Sequence, residues 1–348
     1  MLDGKDPLLG RYIRQMRYPP IGEEGQRKLL ASRVLICGCG ALGSVLANTL
    51  GRAGVGHVRI VDRDFLELNN LQRQVLYDEA DVEAGIPKAV AAKAKLERIN
   101  SQLDIEAHVT DVDHTNIESL LDGVDMILDG TDNFETRFLL NDASIRFNLP
   151  WVYGGCIGAE GQTMTIVPGE TPCLRCLMQD APPPGTTPTC DTAGIIGPIV
   201  NVIASMEACE AIKILSGNRE AINRVLNVFE LWDGRIRQVN LDSLRESADC
   251  PTCTRREFPW LDGQRGSHTA VLCGRNAVQL SFPKRQAISF EALSEQLRGV
   301  GEVTHNRYLL RLAVDDYRIT VFPDGRAIVG GTDDIAEART LYAKYIGN

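Results

Sequence analysis

Residues 34–74 read VLICGCGALGSVLANTLGRAGVGHVRIVDRDFLELNNLQRQ, and this stretch decides the fold. An apolar strand (Val34, Leu35, Ile36) runs into Gly38-Cys39-Gly40-Ala41-Leu42-Gly43. A helix is predicted from there to about Gly51, and a second strand, Val58-Arg59-Ile60-Val61, ends on Asp62. Glycines at that spacing let the backbone turn tightly. They also let a phosphate approach the helix N-terminus, whose unpaired N–H groups and dipole favour anions. Asp62 stands 22 residues after Gly40, where a carboxylate can accept hydrogen bonds from a ribose. The pattern predicts an α/β fold with a nucleotide site.

The glycines alone leave the nucleotide open, because most such turns hold NAD or FAD. The segment beyond Asp62 shifts the reading. A dinucleotide carries only a pyrophosphate, which a helix N-terminus nearly satisfies. Here Asn69-Asn70-Leu71-Gln72-Arg73-Gln74 follows at once, with Pro87-Lys88 a little further on. Amides, a guanidinium and an ammonium suit a triphosphate, whose charge must be offset before a nucleophile approaches. ATP is therefore preferred over NAD.

Several motifs in order carry a resemblance. They are RYxRQ at residues 11–15, the GxGxLG turn, Asp62 and Asp64, NLQRQ at 70–74, and Thr131-Asp132-Asn133. Together they resemble the ThiF/MoeB family, bacterial relatives of ubiquitin-activating enzymes that adenylate the C-terminal glycine of ubiquitin-fold sulfur carriers. The resemblance runs from about residue 10 to 254, with one departure: Ala41 stands where the family commonly has glycine. It implies ATP and Mg²⁺ as cofactors. The nucleotide is then expected on Gly38, Gly40, Ala41, Gly43, Asp62, Asp64, Asn69, Asn70, Arg73, Lys88, Asp132 and Asn133. It also implies that Arg14 reaches into the site of a neighbouring subunit, hence a homodimer with shared sites. Arg11 and Arg17 read as surface charges.

Composition sets wider limits. The chain has 348 residues, enough for two domains, and 44% hydrophobic residues support a real core. A net charge of -9 argues against nucleic acid or an anionic membrane as partner. The most apolar run, residues 194–215, contains Pro198, Glu207, Glu210 and Lys213, so it does not read as a membrane span. The N-terminus carries Asp3, Lys5 and Asp6 without an apolar signal core, and a cytosolic protein is expected. In that setting ten cysteines with two CxxC pairs point to metal and thiol chemistry rather than disulfides.

Further along, Met126-Ile127-Leu128-Asp129 reads as a buried parallel strand ending near Asp132 and Asn133. A carboxylate there sits where open α/β sheets place ligands. Its plain alternative is to cap the helix that follows. The resemblance assigns Asp132 to magnesium, while Asp129 reads as structural. Cys173, Cys176, Cys250 and Cys253 form two CxxC knuckles separated by 73 residues, the usual arrangement for a structural Zn²⁺. Between them the proline-rich run 181–190 is expected to be an exposed crossover ending on Cys190. A thiol near a helix start can reach an acyl group, and in the family the matching cysteine is proposed to attack the adenylate or relay sulfur. The plain reading packs Cys190 against the helix predicted over 199–215. Cys37, Cys39, Cys156, Cys209 and Cys273 read as packing residues, and the five histidines have no partner pattern. Residues 224–241 predict a hairpin turning at Asp233-Gly234.

Three segments result: an adenylyltransferase-like domain at 1–254, a linker at 255–267 and a small α+β appendage at 268–348 of undefined role. The fold class is a doubly wound, Rossmann-like ATP-binding domain with structural zinc. The predicted reaction is attack of a carrier's C-terminal carboxylate on the ATP α-phosphate, giving acyl-adenylate and pyrophosphate. Arg14, Arg73, Lys88 and Asp132 with its metal would lower the repulsion between anion and polyanion, and Cys190 would serve the later thiol step. Sulfur from a cysteine desulfurase or another persulfide donor would then give a thiocarboxylate. Two alternatives stand beside this. An NAD-dependent dehydrogenase would leave Arg73, Lys88 and the knuckles without a role. A non-catalytic carrier-binding scaffold would be expected to lack the arginine and aspartate that are present.

Overall fold

Along the first strand, Val34 and Ile36 face one side of the sheet while Leu35 and Cys37 face the other, and all four are buried. Helices must therefore cover both faces, as a parallel sheet requires. The computed structural model describes residues 8–182, 190–247, 249–265, 269–272, 276–280 and 288–347. Two compact units emerge, one from residues 1–184 and 195–265, the other from 185–194 and 266–348.

The first unit runs α1 (Gly22–Ala31), β1 (Arg33–Cys37), α2 (Ala41–Ala53), β2 (His57–Val61), α3 (Lys88–Ile99), β3 (Asp104–His108), β4 (Met126–Asp129) and α4 (Phe134–Phe147). It continues through β5 (Trp151–Ile157), β6 (Glu160–Ile166), α5 (Gly197–Leu215), β7 (Val225–Glu230) and β8 (Arg235–Asn240). The strands form one sheet in the order β3-β2-β1-β4-β5-β6-β7-β8. The first five are parallel, and β6, β7 and β8 add an antiparallel extension ending in the predicted hairpin. The chain leaves β1 in one direction for β2 and β3, then returns to its other side at β4. That reversal opens a crevice at the C-terminal ends of β1 and β4, where this class of sheet binds ligands.

Residues 255–265, expected as linker, instead pack into this unit. Phe258 and Trp260 are buried, and Trp260 lies 5.5 Å from Phe138 of α4. Alternation-based reading missed them because a segment with two isolated aromatics shows no period. Residues 183–189 of the proline-rich run lie outside the described residues.

The longest helix, α5, buries Ile199, Ile203, Ala204, Ala208 and Ala211. Its Glu207 is fully buried, neither carboxyl oxygen has a hydrogen-bond partner among the described residues, and a Cβ at Gly154 would lie 2.0 Å from Oε1. Burial pushes this carboxyl well above the usual range, so it is held neutral. The folded chain then keeps a proton that the unfolded chain releases near the ordinary value, so stability falls as pH rises above that value. Denaturant midpoints measured from pH 5 to 8 should show this slope in the native protein and lose it in Glu207→Gln.

The second unit contains β9 (Thr269–Leu272), β10 (Ala277–Leu280), α6 (Phe290–Gln296), β11 (Glu302–His305), β12 (Leu310–Val314), β13 (Tyr317–Val321), β14 (Ala327–Gly330) and α7 (Ile335–Tyr345). Its sheet, ordered β11-β12-β13-β14-β10-β9, has every described pair antiparallel. It is the α+β appendage expected, with six strands among the described residues.

Candidate active site

The turn after β1 is built on backbone that side chains would block. Gly38 has φ of 82°, and a Cβ there would lie 2.5 Å from the Gly130 carbonyl oxygen at the end of β4. A Cβ at Gly43 would lie 1.9 Å from the Gly38 carbonyl oxygen, because α2 starts directly against the turn. Gly43→Ala should therefore leave the rest of the fold standing but cost nucleotide affinity at least about tenfold, by displacing a turn that must hold sub-ångström geometry. Calorimetric titration with ATP checks this. Gly40 is the N-cap of α2 without a side-chain cap, so the first N–H groups of the helix remain available to an anion. Ala41 is the first helical residue, where glycine's freedom is not required.

Asp62, directly after β2, is nearly buried and faces this turn. Its Oδ2 accepts from Cys39 N at 2.6 Å and its Oδ1 from Asp64 N at 2.7 Å. Burial pushes the carboxyl up, against the opposing pull of Lys88 and the two N–H donors. Asp64 meets Lys88 twice: its Oδ2 lies 3.2 Å from Nζ, and its carbonyl accepts from Lys88 N at 2.9 Å. Lys88 is the first residue of α3 and is only 4% exposed. Tyr77, which sequence reading overlooked, joins the two sides. Its hydroxyl hydrogen-bonds the carbonyl of Cys39 at 2.7 Å and that of Lys88 at 3.2 Å. An isolated tyrosine carries no motif, so only the fold reveals it. Burial pushes the Cys39 thiol up to about 12 and that of Cys37 higher still, so both are packing thiols.

Residues Leu68–Asn70 form a single helical turn. Asn70 is buried and donates to Asn69 Oδ1 at 2.6 Å, while its own Oδ1 accepts from Glu67 N at 3.3 Å. Asn70 shapes the turn from which Arg73 projects, with Arg73 Nη1 donating to the Asn69 carbonyl at 2.8 Å. Gln74 is buried beside Gly40 with Oε1 unpaired among the described residues.

On the other side of the crevice, Asn133 caps α4 by accepting from Thr136 N at 2.8 Å. The capping role considered for Asp132 is therefore already filled. Asp132 is exposed, with Asn133 Nδ2 at 3.5 Å from its Oδ1. Asp129 is structural, as expected, accepting from Thr131 N at 2.9 Å and Oγ1 at 2.6 Å. Arg14 lies on the short helix Ile13–Met16, exposed and without a hydrogen bond or ion pair among the described residues. Cys190 opens a short helix, Cys190–Ala193, that belongs to the second unit, and its side chain lies outside the described residues.

The four knuckle cysteines come together. Their sulfurs all lie within 4.8 Å of one another, with Cys173–Cys176, Cys173–Cys250 and Cys176–Cys253 at 3.8, 3.6 and 3.3 Å. Four thiolates about 2.3 Å from a tetrahedral ion stand about 3.8 Å apart, so the set fits a metal. It does not fit a disulfide, whose sulfurs are about 2.05 Å apart. Both knuckles are tied to α4. Asn141 Oδ1 accepts from Leu174 N at 2.8 Å, and Asp142 accepts from Thr252 Oγ1 at 3.2 Å and Trp260 N at 3.0 Å.

The sequence pattern of the ThiF family matches residues 12–252. The chain belongs to the ThiF family. This member is 46% identical over 341 residues to the sulfur carrier protein ThiS adenylyltransferase of Bacillus subtilis, an alignment covering 98% of the chain and all of the relative. The second unit is thus shared with that protein. A sulfur carrier protein adenylyltransferase of Thermus thermophilus is 37% identical over 72% of the chain and 94% of its own length. The SAMP-activating enzyme E1 of Haloferax volcanii is 39% identical over 70% of the chain and 88% of its own length. Among solved structures, Escherichia coli MccB with MccA-N7isoASN superposes with a TM-score of 0.61 at 25% identity, over 70% of this chain and 74% of that one.

Proposed function

We propose that this ThiF-family protein uses ATP to adenylylate the C-terminal glycine of a ubiquitin-fold sulfur carrier of the ThiS type. The observation that carries the reading is the buried Lys88, whose ammonium lies against Asp64 and whose backbone carbonyl shares the Tyr77 hydroxyl with that of Cys39 in the glycine turn. A fixed cation beside an uncapped helix N-terminus suits a polyphosphate better than the single pyrophosphate of a dinucleotide. The α2 N–H groups and Lys88 receive phosphate oxygens, and Arg73 adds a second cation. Each oxygen of Asp62 already accepts one backbone N–H and has a lone pair left for a ribose hydroxyl. The carrier carboxylate is ionised at neutral pH, so its attack on the α-phosphorus needs no general base. It displaces pyrophosphate.

An exposed carboxylate at a strand end suits Mg²⁺, which takes one or two protein carboxylates with water and phosphate. Bound there, the ion would offset phosphate charge, and Asp132 would hold it. We further propose Zn²⁺ for the four-cysteine cluster and a homodimer in which Arg14 completes the partner's site. The persulfide of a donor such as a cysteine desulfurase then attacks the acyl carbonyl and displaces AMP, and the Cys190 thiol attacks the resulting acyl disulfide, forming a disulfide with the donor's sulfur and releasing the carrier thiocarboxylate. The setting is the cytosol; no described helix is long and apolar enough to cross a membrane. The purified chain, ATP and a carrier ending in Gly-Gly should give an adenylylated carrier by mass spectrometry. A carrier lacking that dipeptide should give none. Tight NADH binding with no carrier-dependent pyrophosphate exchange would refute the reading.

A further inference from the structure

Arg137 lies in the first turn of α4 and is only 7% exposed, and among the described residues the carboxylate it hydrogen-bonds is Asp129, Oδ2 at 3.3 Å from Nε. Burying a guanidinium is costly unless its donors are used. Here Nη2 donates to two backbone carbonyls from different elements, Thr131 O at 2.8 Å and Gly154 O at 2.9 Å. The charge is also flanked by the rings of Phe134 and Tyr153, whose centroids lie 5.5 and 5.3 Å away. The guanidinium thus bolts the turn after β4 onto β5.

What it bolts is specific. The Thr131 carbonyl belongs to the peptide plane that carries the Asp132 nitrogen, so fixing that oxygen fixes the plane from which Asp132 departs. Asp129 holds the preceding N–H and the Thr131 hydroxyl. Asp132 itself is exposed, and its one described side-chain contact is Asn133 Nδ2 at 3.5 Å. The backbone sets where its side chain departs, Arg137 holds that backbone, and the charges of Arg137 and Arg63 also attract the carboxylate.

We propose that Arg137 is a positioning residue that aims Asp132, and through it the metal-bound phosphates, an inference that rests on the metal-holding role given to Asp132 above. Lysine keeps the charge but offers a single nitrogen, so it cannot hold both carbonyls and reach Asp129 as Nη2 and Nε do here. Calorimetry on the full chain should show Arg137→Lys binding Mg²⁺–ATP about tenfold more weakly, within the coupling range of contacting groups. ATP in excess chelator should bind within about twofold of the native value. In an Asp132→Ala background the same change should have no further effect. Equal weakening with and without magnesium, or additive losses in the double variant, would overturn the inference, since a merely structural staple predicts both. Should Arg137→Lys not fold, Asp129→Asn loosens the same turn at Thr131, with the same expected and overturning results. If Asp132→Ala alone retains the magnesium-dependent gain in ATP affinity, the role given to Asp132 fails first. If Asp132→Ala loses that gain while Arg137→Lys keeps it, only the present inference fails.

Discussion

Lys88→Ala should lower ATP–pyrophosphate exchange by a factor of about 10² to 10³, the loss seen when one preorganised charge or donor is removed from a developing transition state. Lys88 reaches the turn from the first residue of α3, is almost fully buried, and keeps its ammonium near both Asp62 and Asp64. A surface lysine would be screened by water and salt. This one is buried, so little water lies between its ammonium and an incoming phosphate. Its loss also leaves two carboxylates facing a polyanion with no nearby ammonium. The measurement is carrier-dependent exchange, with circular dichroism to confirm the fold. Exchange within a few-fold of the native rate in a folded variant would remove Lys88 from the chemistry.

The second large effect lies at the cysteine cluster. Metal analysis should find one tightly held ion per chain, and Cys250→Ser or a strong chelator should lower the melting temperature by at least about 10 °C. Structural zinc in small peptides contributes about 10–16 kcal/mol of binding energy, and only part of that need be lost. For a unit of this size each kcal/mol corresponds to about 2–4 °C. The loss should extend beyond the ligands, because Asp142 binds both Thr252 in the second knuckle and the backbone at Trp260. Freeing one knuckle loosens the buried aromatic segment as well. A native melting curve for Cys250→Ser, with no metal in either protein, would contradict a structural metal site.

The parts of this protein legible in its sequence are those where chemistry narrows the choice of residue. Gly38 and Gly43 are forced by backbone contacts that no side chain survives, and the CxxC pairs by tetrahedral geometry. The strands β1 and β4 were visible because burial on both faces demands unbroken apolar runs. Tyr77 and Arg137 were not visible, since each acts through backbone carbonyls that any sequence supplies. The hydrogen bonds of Asn70 are not legible for a related reason: an amide that closes a local turn leaves no pattern in the sequence. Strand β11 leaves little trace in the sequence, because only Val303 within it is partly buried and alternation is weak.

The spacing of the two knuckles bears on how the molecule comes into being. With 73 residues between Cys176 and Cys250, and ribosomes adding about 5–20 residues per second, the first thiol pair waits roughly 4 to 15 s for the second. For that interval it is an open, oxidisable dithiol, and any ion it captures is held by half a coordination shell. Closure can follow only after β7 and β8 have been made, so filling the site reports that all eight strands of that sheet exist.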